Sequence, residues 1–290
     1  MARRIKIPLV VDLILTDEPN EIRALANQAN LDRGFRPRGP LMNRVLVRRL
    51  KSALSLDGKP LESARMRGDR ERQRVSGKLT ELFAPGRWDA DTLASMADHV
   101  RGDTARPVGE LAQEAIGRMF DTCYTADANT WAAARSIDSH LQMRNPVRRL
   151  LRRLSGALGH AQDILGRAAN GDTGAVHGTG VAVHNLALSL ERMQSLWTDE
   201  ENRARLGPKQ AALSALAAPR TVIRVGTGHG DTVGGPVRPG TLVALNLRRA
   251  ASRSMDANLA FLGSSWSRCP AEAWVMALLA EVWRKAGERR

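Results

Sequence analysis

The middle of this 290-residue chain carries apolar residues at helical spacing in one segment after another, and this pattern constrains the fold more than any other feature. Gly, Pro, Asn or Asp stands between consecutive segments, as is typical of helix ends. The predicted helices are Leu79–Phe83, Leu93–Val100, Val108–Tyr124, Trp131–Leu141, Val147–Ala169 and Val181–Trp197. The chain is therefore expected to be mainly α.

Short β segments flank the helical series. Ile7–Thr16 predicts a strand that leads into a helix over Glu21–Asn30. Late in the chain, Thr221–Val225 and Leu242–Leu247 have strand character and enclose the turn-rich Gly226–Gly240. A small β element should therefore accompany the helices.

Charge restricts the kinds of partner. Lys and Arg number 44 against 30 Asp and Glu, and the net charge of +14 favours nucleic acid, an anionic membrane surface or an acidic protein. The basic clusters lack interleaved Phe or Tyr, and no zinc-finger or RNA-recognition signature is present, so nucleic acid is not expected. Because no apolar run is long enough to span a bilayer, we expect a cytoplasmic protein without a membrane partner.

Cys269 has the surroundings that point most directly to chemistry. Pro270 and an apolar stretch through Trp283 follow it, which predicts a cysteine at a helix N-terminus, where the helix dipole favours a thiolate. A thiolate can bind a metal, whereas a buried thiol is simply a small hydrophobe. The other cysteine, Cys123, lies in an apolar helical pattern that predicts a core residue.

The segment before this cysteine, Phe261–Ala271, is named here the cysteine loop. It resembles the heme-binding loop of the cytochromes P450, which reads Phe-Gly-x-Gly-x-His/Arg-x-Cys-x-Gly. Gly263 and Cys269 match that pattern, and the preceding Gly234–Ala250 resembles the hairpin and helix that come before the loop in the family. Four other positions of the pattern hold different residues: Leu262, Ser265, Ser267 and Ala271.

The resemblance implies a single mainly α, cytochrome P450-like domain over 1–290, with the cysteine loop and the heme-proximal helix at about 259–286. It implies heme b as the cofactor and Cys269 as the axial ligand of its iron. A heme-thiolate oxidoreductase of this kind would be a monooxygenase acting on a small organic substrate. Its electrons would come from a ferredoxin-type donor, whose acidic surface suits the arginine excess.

The resemblance also implies roles for individual residues. Arg65 and Arg224 fall where the family binds the heme propionates, and Arg268 would replace a missing basic residue of the loop. Thr179 falls in the distal helix, where the family delivers protons through a threonine and an acid, but Gly178 occupies the acid position. The alternatives are surface arginines and a threonine hydroxyl that bonds its own helix.

Two family features are missing. The family's Glu-x-x-Arg pair has no counterpart in Lys209–Ala218, and Leu61 stands where a His should pair with the propionate-binding Arg65. Either another pair supports the cysteine loop, or the chain is a heme-free relative that serves as a binding or accessory protein.

Arginine is concentrated in two places, each of which is a solvated face, a docking surface for an acidic redox protein or a phosphate-binding patch. One is the segment Arg65–Arg74. The other is a predicted helix face with Arg148, Arg149, Arg152 and Arg153.

Overall fold

The first strands of the chain show how local chemistry builds the sheet. In the computed structural model, which describes residues 2–142 and 155–288, β1 (Arg3–Ile7) and β2 (Val11–Thr16) form an antiparallel hairpin. Pro8 has no N–H for the ladder, and Leu9 has a left-handed φ of 60°, so the chain reverses here. The prediction of one continuous strand over Ile7–Thr16 is wrong for this reason.

Far more of the described residues lie in helices than in strands. After β1 and β2, the strands are β3 (Leu31–Asp32), β4 (Ser55–Leu56), β5 (Lys59–Pro60), β6 (Val222–Gly226), β7 (Gly230–Thr232), β8 (Gly235–Val237) and β9 (Leu242–Leu245). The α-helices are α1 (Pro19–Asn27), α2 (Leu41–Ala53), α3 (Arg70–Leu82), α4 (Ala90–Arg101), α5 (Val108–Phe120), α6 (Ala128–Gln142), α7 (Ala157–Ala168), α8 (Thr173–His177), α9 (Val183–Thr198), α10 (Glu200–Arg205), α11 (Pro208–Ala215), α12 (Leu247–Ser254), α13 (Ala257–Phe261) and α14 (Glu272–Gly287). The predicted class, mainly α with a small β element, is confirmed.

Contacts within the chain divide it into two units. The sheet unit comprises the described residues of Met1–Ser55, Glu62–Arg74 and Ala218–Cys269. The helical unit comprises those of Leu56–Leu61, Val75–Ala217 and Pro270–Arg290. The single domain over 1–290 stays a prediction.

A five-stranded sheet organises the sheet unit, in the order β1-β2-β9-β6-β3. β9 lies at its centre, parallel to β2 and antiparallel to β6, and all of its residues are buried. A strand covered in this way is expected to be apolar throughout, as Leu242–Leu245 is. β7 and β8 form a separate two-stranded hairpin inside Gly226–Gly240, the segment that the sequence analysis described as turn-rich.

Apolar faces of α4, α5, α9, α11 and α14 meet in the core of the helical unit. α14 has buried residues on several sides, including Trp274 and Trp283. The indole N–H of Trp274 donates to the Arg87 carbonyl at 2.6 Å, and that of Trp283 donates to the Leu206 carbonyl at 3.2 Å. Since burying a large apolar side chain contributes about 1.5–3 kcal/mol, α14 is a major stabiliser of this unit.

The predicted helices are present with shifted ends where the structure describes them. α14 begins at Glu272, so Cys269 precedes the helix rather than starting it. The prediction that Cys123 is a core residue is wrong, because α5 ends at Phe120 and this cysteine, which lies beyond the helix, is exposed. The first part of the predicted helix Val147–Ala169, with its four arginines, lies outside the described residues, and the rest contains α7. Among the described residues, no helix is both long and apolar enough to cross a membrane.

Gly117→Ala should destabilise the helical unit, because an added Cβ would lie 2.1 Å from the Tyr124 ring. Urea denaturation should show a loss of about 1–3 kcal/mol in the free energy of unfolding, as overpacking typically causes. Gly77→Ala is the matched control, since Gly77 is also helical and nothing lies within 4 Å of its added Cβ. That variant should be neutral or more stable by up to about 1 kcal/mol. Equal losses in the two variants would contradict the packing described.

Candidate functional site

The cysteine loop begins where α13 ends. Leu262 closes that helix in a left-handed conformation with a φ of 52°, and the Gly263 N–H donates to the Asn258 carbonyl at 2.8 Å. The Cys269 N–H donates to the Phe261 carbonyl at 2.9 Å, which closes the loop on itself. Cys269 is half-buried and, within the described residues, forms no disulfide. Its sulfur is therefore held at a defined place on the sheet unit.

Two buried serines fix the course of the loop. The hydroxyls of Ser265 and Ser267 lie 3.0 Å apart, and the Ser267 N–H donates to Ser265 Oγ at 3.2 Å. Ser267 Oγ also accepts a hydrogen bond from Nη2 of Arg224 at 2.5 Å. Because Arg224 lies in β6, the serines connect the loop to the sheet.

Arginines from two further segments donate to the same loop. Nη2 of Arg33, directly after β3, donates to the Ser267 carbonyl at 2.7 Å. Nη2 of Arg72, in α3, donates to the Trp266 carbonyl. Loop carbonyls that belong to no helix or sheet need such donors. The three arginines thus hold the backbone immediately before Cys269.

The Trp266 ring lies among four guanidinium groups, which together are named the arginine cluster. Their central carbons lie between 4.7 and 5.8 Å from the ring centroid and belong to Arg33, Arg67, Arg72 and Arg224. Cation–π contacts contribute about 0.5–1 kcal/mol each at exposed sites, which offsets part of the repulsion between the cations. The sequence analysis missed Trp266, Arg33 and Arg72 as site residues, and the arginine-rich segment Arg65–Arg74 was the signal that pointed to this region.

The arginine cluster carries positive charge that its surroundings do not fully offset. Arg224 is completely buried, and its Nε–H has no hydrogen-bond acceptor among the described residues. Burial lowers the pKa of Arg224 well below its usual value, and repulsion from Arg33 lowers it further. Burial also lowers the pKa of Arg33 to about 10, assisted by the charge of Arg72 and opposed by Cys269 and two carboxylates. An anion placed in this cluster would therefore be stabilised.

The other two arginines predicted to bind the cofactor, Arg65 at a propionate and Arg268 in place of a missing basic residue of the loop, do not belong to the arginine cluster. Arg65 pairs with carboxylates of its own segment, Nε lying 2.8 Å from Glu62 Oε1 and Nη1 lying 3.7 Å from Asp69 Oδ2. Arg268 is exposed, and its backbone N–H donates to the Ser265 carbonyl at 3.1 Å. Of the three, the structure brings Arg224 into the arginine cluster.

Thr179 lies in the helical unit, in a π-helical segment over Gly178–Ala182 that joins α8 to α9. Its side chain is fully buried, and its hydroxyl donates to the Ala175 carbonyl at 2.8 Å. Its own carbonyl accepts from Nε2 of Gln113 at 3.0 Å. Burial raises the pKa of the neighbouring Tyr124 to about 12, and the Thr179 side chain opposes that rise. Widened helical turns of this kind occur frequently at functional sites.

Comparison with known proteins decides the fold. No family model and no curated protein sequence matches the chain. Solved structures do match: CYP175A1 from Thermus thermophilus has a TM-score of 0.61 at 14% identity, over 98% of this chain and 83% of that chain. The chain has the cytochrome P450 fold.

Two further P450 structures cover nearly the whole chain. CxnD, the enzyme for C–S bond formation in chuangxinmycin biosynthesis, has a TM-score of 0.60 at 13% identity, over 95% of this chain and 79% of that chain. P450BioI, in complex with a fatty-acid-ligated acyl carrier protein, has a TM-score of 0.55 at 14% identity, over 98% of this chain and 86% of that chain. The resemblance seen in the cysteine loop is therefore confirmed for the fold.

Packing accounts for two of the departures from the P450 pattern. A Cβ added to Gly178, at the acid position, would lie 2.7 Å from Cγ2 of Ile116 in α5, so an acidic side chain does not fit without movement. Leu61, at the His position, is buried in an apolar cluster of the helical unit. α11 carries no Glu-x-x-Arg pair, and Arg248 of α12 instead donates from Nε to the Ala218 carbonyl at 3.0 Å.

Two histidines of the helical unit should make its stability depend on pH. Burial lowers the pKa values of His99 and His184, so the unfolded chain takes up protons first as the pH falls below about 6.5. The free energy of unfolding should therefore fall between pH 7 and roughly 5.5, and less steeply in the double variant His99→Gln/His184→Gln. Urea denaturation across this range measures the slope. The exposed His229→Gln serves as the control, and an unchanged slope in the double variant would refute the assignment.

Proposed function

We propose that this protein is a heme-thiolate oxidoreductase in which Cys269 binds the iron and the arginine cluster binds the heme carboxylates. The observation that carries the proposal is the buried Nε–H of Arg224, which lacks an acceptor among the described residues. A buried donor without a partner costs about 1–3 kcal/mol. A guanidinium group suits a carboxylate, and heme b carries two propionates. The donor set therefore fits this cofactor.

Bound heme supplies redox chemistry at its iron, and a cysteine thiolate ligand favours cleavage of the O–O bond. The chain's own residues prepare that ligand. Arg33 and Arg72 fix the carbonyls of Ser267 and Trp266, and the backbone N–H of Cys269 bonds the Phe261 carbonyl. These bonds orient the thiolate before a cofactor arrives. The positive charge of Arg33 also favours the ionised form of Cys269.

Thr179 is proposed as a catalytic residue that delivers protons. Its Oγ1 carries a proton that it now donates to the Ala175 carbonyl, and a rotation of the side chain would redirect that proton. Asp172 caps α8 by accepting from the N–H groups of Gly174 and Ala175, so it is already engaged. Water or the substrate would then renew the proton in place of the missing acid.

The remaining parts of the proposal follow from the fold and the charge. The match to P450 structures supports the proposal that the protein is a monooxygenase acting on a small organic substrate. A ferredoxin-type protein would supply electrons, and the net charge of +14 suits an acidic donor. Arg65 and Arg268 are secondary candidates for the propionates. We place the protein in the cytoplasm.

Absorption spectra should test iron ligation directly. After expression with ample heme, reduction and exposure to carbon monoxide, the wild type should show the strongly red-shifted Soret band of a thiolate-ligated heme. Cys269→Ala should lose that band, because the thiolate is gone. Cys123→Ala is the matched control and should keep it, since Cys123 is the exposed cysteine of the chain. If the wild type takes up no heme, the heme-free accessory role becomes the better account.

Arg224→Met should separate cofactor binding from folding. Loss of a buried, incompletely paired cation should leave the apo-protein equally stable or more stable by about 1–4 kcal/mol. Loss of the carboxylate partner should weaken heme binding at least tenfold, about 1.4 kcal/mol, in a hemin titration followed by tryptophan fluorescence. Arg70→Met, at an exposed position of α3, should change neither quantity. Unaltered heme affinity in Arg224→Met would exclude this residue as a carboxylate ligand.

A further inference from the structure

Exposed apolar side chains are concentrated at one place on the sheet unit. Of the eight large apolar residues that are exposed among the described residues, six lie on the β1–β2 turn and the start of α2, with exposed fractions from 38% to 88%. They are named the apolar patch and comprise Ile7, Leu9, Val10, Leu41, Met42 and Val45. The two segments touch, because the N–H groups of Leu41 and Met42 donate to the carbonyls of Leu9 and Val10 at 3.0 and 2.9 Å.

The apolar patch is rigidly mounted. Asn43 is buried beneath it and donates from Nδ2 to the carbonyls of Asp12 and Gly240 at 2.7 and 2.8 Å. Its Oδ1 accepts from the Asp12 N–H at 3.3 Å. The amide thereby ties α2 to β2 and to the turn before β9. The patch needs no rearrangement to present its apolar side chains.

A leucine at position 9 does not stabilise the fold. Its side chain is 88% exposed, and its φ of 60° is a strained conformation for leucine. Asn or Gly would suit this turn better. Because Leu9 is not buried within its own chain, its apolar side chain is explained by contact with a partner surface.

The charge around the apolar patch selects the partner. The patch lies within residues 2–11 and 33–56, which contain ten Lys or Arg and no Asp or Glu. Asp12, next to the first segment, is buried and paired with Arg4. The exposed cations of these segments are Arg3, Lys6, Arg36, Arg38, Arg44, Arg48 and Lys51. Apolar side chains on a projecting turn, in segments whose exposed charged residues are cations, match an interface of anionic headgroups over acyl chains.

We propose that the apolar patch binds the surface of a membrane rich in anionic lipid, with Leu9 and Met42 entering the headgroup–acyl boundary. No membrane-spanning segment is needed for such binding, so the expectation of no membrane partner, which rested on the lack of a spanning run, does not apply to it. A peripheral position would also bring the protein close to apolar substrates dissolved in the bilayer.

Vesicle co-sedimentation of the 290-residue chain tests the proposal, and it needs no heme. Phosphatidylcholine vesicles with about one third phosphatidylserine should bind the chain at least tenfold more strongly than phosphatidylcholine alone. Leu9→Asn/Met42→Gln should lower that binding at least tenfold without harm to the fold, because Asn tolerates the turn and Gln forms helix well. Arg44→Gln/Arg48→Gln should lower it and weaken its salt dependence.

Met255→Asn/Val233→Thr is the matched control, since it removes the two large apolar side chains that are exposed outside the patch among the described residues, one of them also at positive φ. Its binding should equal that of the wild type. Equal binding to both vesicle types, or equal losses in the patch and control variants, would overturn the proposal. So would a concentration-dependent dimer in sedimentation analysis that Leu9→Asn/Met42→Gln abolishes, because the patch would then be covered by a second copy of the chain.

Discussion

The arginine hydrogen bonds to the cysteine loop are the interactions on which the rest of the site depends. A loop of this kind exposes carbonyls that no neighbouring strand can pair, and Arg33, Arg72 and Arg224 supply donors for its carbonyls and a serine hydroxyl. Burial, followed by repulsion between the arginines, lowers the pKa values of Arg33 and Arg224. The same three side chains thus fix the position of the cysteine and leave positive charge beside it that an anion would stabilise.

Much of the fold could be predicted from the sequence because it depends on local patterns. Helical spacing of apolar residues located α4, α5, α9 and α14, and the order of elements before Cys269 indicated the P450 fold. The site could be predicted only in part. Nothing local shows which arginine of Arg65–Arg74 faces inward, because that depends on the phase of α3 against residues far away in the chain: Arg72 meets Trp266, which is 194 positions later. Trp266 could not be predicted as a site residue for the same reason, because its arginine partners are also far away in the sequence.

The distal segment shows how a missing family residue can reflect packing. Gly174, Gly178 and Gly180 let the helical run approach Phe120, Ile116 and Leu165 closely. An acid at position 178 would have to push α5 away. From sequence alone, Gly178 looked like a lost catalytic group; in the structure it is a contact point. Thr179 could not be assigned from sequence either, since a catalytic hydroxyl and one that bonds its own helix occupy the same position in the pattern.

The sheet unit is assembled from both ends of the sequence. Arg33 and Ser267 are 234 residues apart, and β9 inserts between β2 and β6 only after nearly all of the chain exists. During synthesis, the β1–β2 hairpin must therefore wait with an unpaired edge while most of the helical segments emerge and pack. The cysteine and its arginines come together last. If the arginine cluster binds a cofactor as proposed, the cofactor can bind only late in folding, after the open edge of the hairpin has paired with β9.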